Sequence, residues 1–208
     1  MSFLYLLMFH NHYTKHRLST IQNGGFGLVE LLVSFSILTL VLGTIMVRQD
    51  SFNAAVLLRN QAYEIALHAR EVQMYAVSIL GDAGDYRDIY GLYFDTTNAT
   101  NRSGYKVYKD TSGGNLRYDD SEEFGVQGKL DQRFEIGDIR TVDSSGISSD
   151  VDFISVVFQR PNFDAKFFTT GGALNNVSVL EIDVVLKSDN SKVRTIEITK
   201  TGQISVQD

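Results

Sequence analysis

The residue in the most unusual chemical setting is Glu30, the sole ionisable side chain in the 22 residues from Phe26 to Val47. A helix of that length measures roughly 33 Å, enough to cross the ~30 Å hydrocarbon core of a bilayer. A carboxylate inside it costs about 2.5 kcal/mol or more unless it meets water or a positive partner. Two arrangements satisfy it. In the first, Glu30 lies at the membrane interface, near a helix N-terminus whose dipole favours an anion. In the second, the Gly25-Phe26 bond is cut at the membrane surface, which creates an amino group four residues from Glu30 and able to neutralise it.

Gly24, Gly25, Phe26, Leu28 and Glu30 follow a basic stretch (Lys15, Arg17) and open the apolar run. Together they resemble the prepilin cleavage motif of type IV pilins and type II secretion pseudopilins. The resemblance implies cleavage after Gly25 by a prepilin peptidase, N-methylation of Phe26, and Glu30 as the fifth residue of the mature chain. There it would pair with a terminal amine, its own or a neighbouring subunit's, as subunits enter a filament. Implied partners are other pilin or pseudopilin subunits, the peptidase, an assembly platform protein and the membrane. The implied location is a single pass in the cytoplasmic membrane with the C-terminal domain extracytoplasmic, followed by an extracellular or periplasmic filament. The ending RTIEITKTGQISV, Arg194 to Val206, is similar to the closing hairpin of minor pilins and pseudopilins of the GspH and FimT kind. Two features depart from the pattern: many pilins have proline where this chain has Val47, and many close their C-terminal region with a disulfide.

With residues 1–25 removed the chain keeps one histidine, His68, and it has no G-x-S-x-G elbow, so hydrolase chemistry is not supported and His68 reads as a solvated helix residue. No cofactor is expected. For calcium, the candidates are Asp82, Asp85 and Asp88 in a glycine-containing loop, joined by Asp95, although their spacing is not that of an EF-hand. Asp119, Asp120, Glu122 and Glu123 form a second acidic cluster. The aromatics Tyr86, Tyr90, Tyr93, Phe94, Tyr105, Tyr108 and Tyr118 read chiefly as sheet core, with an adhesive or glycan-binding surface as the alternative.

Composition narrows the classes further. The 208 residues are 43% apolar and 21% charged, which suits one ordinary folded domain plus an anchor. Loss of residues 1–25 lowers the positive side chains from 19 to 17 and leaves all 25 acids, moving the formal charge from −6 to −8. An acidic chain whose final six residues hold no Lys or Arg is poorly suited to nucleic acid. Cysteine is absent, which removes disulfides, thiolate metal sites and a cysteine nucleophile.

The elements that must carry these residues follow from periodicity. The pattern predicts an α+β chain: membrane half of a long helix 26–47, amphipathic half 48–81, and a globular β-rich domain 82–208 whose antiparallel sheet packs on the helix, while the family resemblance implies that residues 1–25 are a leader peptide. Leu58, Ala62, Ile65, Ala69, Val72, Ala76 and Ile79 alternate at spacings of four and three, one stripe on a helix with Gly81 as its stop. Arg59, Glu64, His68, Arg70, Glu71 and Gln73 fall on other faces. From Asp82 to Asp150 the chain is loop-rich, with β-like runs at Tyr90 to Phe94, Gly104 to Tyr108 and Arg133 to Val142; in pilins the segment between helix and sheet tends to be surface decoration, and the resemblance makes this half the first place to look for any specific function. Asp152 to Gln159 reads as a strand stopped by Pro161. The last third alternates with a period of two and reads as a three-stranded meander. A single-pass anchored binding module that forms no filament fits the same pattern and is the alternative function.

Overall fold

The computed structural model describes residues 25, 27–78, 89–111, 114–158 and 163–207. It is α+β. A helix, α1 (Leu28–Val77), precedes β1 (Ile89–Asp95), β2 (Gly104–Asp110), β3 (Gly128–Lys129), β4 (Phe134–Asp143), β5 (Ser148–Asp150), β6 (Phe153–Phe158), β7 (Ala165–Thr169), β8 (Gly172–Ala173), β9 (Val177–Leu186), β10 (Asp189–Thr199) and β11 (Ile204–Gln207). The chain divides into two units between Met46 and Val47. Ile79, Gly81 and the loop acids Asp82, Asp85 and Asp88 lie outside the described residues.

In the first unit, every residue from 28 to 46 is exposed. These 19 residues are apolar enough, and at about 28 Å long enough, to cross a membrane. All four hydroxyls in the segment donate to backbone carbonyls of the preceding turn: Ser34 to Glu30, Ser36 to Leu32, Thr39 to Phe35 and Ser36, and Thr44 to Val41. Hydroxyls satisfied in this way can enter hydrocarbon without an orphaned donor.

The second unit is built on the remainder of α1 and two antiparallel sheets. Leu58, Ala62, Ile65, Ala69, Val72 and Ala76 are all buried, as their spacing requires. The sheets have strand orders β3-β2-β1-β6-β7-β8 and β11-β10-β9-β4-β5. Leu92, Phe94, Val156 and Phe158 of the first sheet and Ile136, Leu180, Ile182 and Ile196 of the second join the helix stripe in one core. The small alanines let the helix backbone approach closely, and the branched and aromatic strand residues fill the space opposite.

The expected meander is present as β9-β10-β11, with Ile196 opposite Ile182 and Val206. Gly202 turns the last hairpin at φ +81, and a side chain there would collide with the carbonyl of Phe163. Two expectations need correction. The segment 82–150 is not merely decoration, because β1 and β2 supply the buried Tyr90, Leu92, Phe94 and Val107, and β4 crosses to the second sheet, where Phe134 pairs with Leu186 and Ile139 with Ile182. Gln73 is not on a solvent face: it is 8% exposed, and its Nε2 donates to the carbonyls of Phe163 and Gly202, each at 2.9 Å.

Candidate functional site

Glu30 lies in the first turn of α1, where Leu31 N–H donates to Gly27 O at 3.1 Å. Unpaired N–H groups at a helix start hold a partial positive charge, and an acid in that turn is stabilised. The Glu30 backbone carbonyl is engaged by Ser34, but among the described residues its carboxylate has no hydrogen-bond or ion-pair partner. Leu28, 77% exposed, shares the turn. Gly25 is exposed, with nothing within 4 Å of the position of a Cβ. Gly24, Phe26, Lys15 and Arg17 lie outside the described residues. Chemically, this is an outward-facing carboxylate at the start of an apolar segment, able to accept one cation.

His68 departs from its sequence reading. It is half-buried; its Nδ1 is 2.8 Å from the Tyr105 hydroxyl, and the rings meet edge-on with centroids 5.5 Å apart. Burial, with the negative charges of Glu64 and Glu71, raises the Tyr105 phenol pKa well above its ordinary value. Tyr105 is therefore a neutral phenol at physiological pH, and the pair braces α1 against β2.

The acids are organised by protein donors. Asp95 accepts from the Thr97 N–H and hydroxyl, Asn101 Nδ2 and the Tyr93 hydroxyl. Glu122, of the second acidic cluster, is 5% exposed and receives the N–H groups of Thr111 and Asp119. Glu123 pairs with Lys106, which holds its carboxyl below the usual range. Among the described residues no three His, Asp or Glu side chains converge to hold a metal ion.

The tyrosines separate by strand alternation. Tyr90, Phe94 and Tyr105 enter the main core. Tyr93, on the opposite face of β1, stacks on Tyr118 with centroids 4.8 Å apart and 23° between planes, over a second small cluster of Tyr108, Val157 and Phe168. Gly91 makes that cluster possible, since a Cβ there would lie 2.6 Å from the Tyr108 ring. Tyr93 and Tyr118 line an open groove of about 700 Å³. Both tyrosines stand among the clustered aromatics of the sequence, and the alternation of Tyr93 with Leu92 and Phe94 separates it from the core, whereas Tyr118, from a loop, had no periodic signal. No family model matches this chain, and no curated protein or solved structure shows significant similarity to it.

Proposed function

We propose that the chain is a structural subunit of a type IV pilus or type II secretion-like filament, a minor pilin or pseudopilin, trimmed after Gly25 and assembled through its N-terminal helix. The supporting observation is Glu30 itself: the only side chain in Leu28–Met46 able to ionise, facing outward, in a segment whose every hydroxyl is internally bonded. In hydrocarbon its negative charge is held at a cost, and the amine of a cleaved neighbouring subunit relieves that cost. Pairing then favours entry into the filament and sets the register between helices. The role is structural, with no catalytic step and no cofactor. The precursor spans the cytoplasmic membrane once with its β-rich domain extracytoplasmic, and its partners are sister subunits, the peptidase and the platform protein.

The test is fractionation of native cells. Recovery of the chain in sheared, sedimentable filaments supports the assembly, whereas confinement to the membrane supports an anchored binding module.

A further inference from the structure

We propose that the groove lined by Tyr93 and Tyr118 binds an uncharged oligosaccharide. Its volume of about 700 Å³ falls within the range of small-ligand sites, and it is open to solvent, so that a longer chain of sugar rings can extend beyond it. Tyr93 and Tyr118, both half-buried and stacked ring on ring, form an aromatic platform that lines the groove, against which the C–H groups of a pyranose can pack.

That platform is held in place. The Tyr93 hydroxyl donates to Asp95 at 3.3 Å and the Tyr118 hydroxyl to Glu123 at 3.3 Å, and the same carboxylates are tied to Asn101 and Lys106. Fixed rings lose little freedom when a ligand stacks on them.

The rim selects the ligand class. Its lining mixes donors and acceptors, among them Thr100, Asp120 and Lys129. A polyhydroxylated ligand, whose every hydroxyl both gives and accepts, matches such a mixed rim. An anionic ligand does not: the groove carries Asp95, Asp119, Asp120 and Glu123 against Lys106 and Lys129, and Lys106 is already paired with Glu123. A basic peptide is also disfavoured, because Asp95, Asp119 and Glu123 are committed to donors of this chain. The proposal holds whether the domain is carried in a filament or on a single membrane anchor.

The test uses full-length protein in phospholipid nanodiscs, free of sugar-based detergent. The probes are immobilised neutral oligosaccharides of hexose and N-acetylhexosamine units, with sulfated oligosaccharides and an oligolysine peptide alongside. At least one neutral oligosaccharide should be retained, with Kd raised tenfold or more by Tyr118→Ala and several-fold by Asp120→Ala or Lys129→Ala. The last two change exposed side chains and should leave the thermal transition in place, so they decide the matter if Tyr118→Ala fails to fold. Retention of no neutral oligosaccharide, retention of only the sulfated or lysine probes, or unchanged affinity in both Asp120→Ala and Lys129→Ala would overturn the proposal.

Discussion

Ser34 Oγ donates to the carbonyl oxygen of Glu30 at 2.8 Å, one turn back along α1. The hydroxyl thereby satisfies itself on the backbone and leaves the Glu30 carboxylate as the polar group in Leu28–Met46 still seeking a partner. Internal satisfaction of Ser34, Ser36, Thr39 and Thr44 is what a bilayer demands, and the exposed carboxylate is what an intermolecular contact can use.

Replacing Glu30 with leucine should therefore leave insertion and folding intact and weaken assembly. If neutralisation relieves about 2.5 kcal/mol, the loss per contact is on the order of fifty-fold. Quantifying subunit in the sheared filament fraction against the membrane fraction reads this directly, and wild-type filament yield from Glu30→Leu would remove Glu30 from the docking role.

Within the β-rich unit, Gln73 joins α1 to two separate loops through the carbonyls of Phe163 and Gly202. Gln73→Leu keeps the size of the side chain but strands both carbonyls, at a cost of about 2 kcal/mol. Thermal unfolding should show Tm lowered by roughly 4–8 °C. An unchanged Tm would mean that water replaces the amide.

Arg140 grips Asp183 with both terminal nitrogens, at 2.5 and 3.0 Å, and reaches Glu181 with Nε at 3.0 Å; Thr195 adds a hydroxyl to Asp183. Because Asp183 is 7% exposed, Arg140→Ala leaves a buried charge unpaired, with a destabilisation of about 3 kcal/mol. The double variant Arg140→Leu with Asp183→Leu should recover much of that loss in denaturant titration. Equal loss in the two variants would show that packing, not charge, sets the cost.

How far these contacts were legible in the sequence depends on periodicity. The stripe from Leu58 to Ala76 announced both the helix and its buried side, because 3.6-residue spacing has one geometric reading. The closing strands were equally plain, since Leu180, Ile182, Val184 and Leu186 alternate. Gln61 and Gln73 were not, because a polar residue at the margin of an apolar stripe becomes buried only when backbone groups arrive to meet its amide, as Asp131 N–H does for Gln61 Oε1. Nor could His68 be paired with Tyr105, 37 positions away, without the register of β2. Glu30 stood out for the opposite reason: its anomaly lies in composition, which needs no tertiary context.

Tyrosine ionisation gives a pH prediction. Burial first, with neighbouring Asp95 for Tyr93 and Glu123 for Tyr118, pushes both phenols from about 10 up to about 12, and burial carries Tyr105 and Tyr108 higher. A raised folded-state pKa means that the native protein holds these protons more tightly than the unfolded chain. Their contribution to stability is therefore complete below pH 10 and is lost as pH climbs through about 12. Circular dichroism with tyrosinate absorbance should show these four ionising together with unfolding. Reversible titration of every tyrosine near pH 10 with the fold intact would contradict the burial argument.

The most direct measurement is the intact mass and N-terminal fragment spectrum of the protein isolated from its native host. The proposed assembly route predicts a chain that begins at Phe26 and carries a methyl group on its amine. A chain that still contains Lys15 and Arg17, or one that begins at Phe26 with an unmodified amine and never enters a filament, would contradict it.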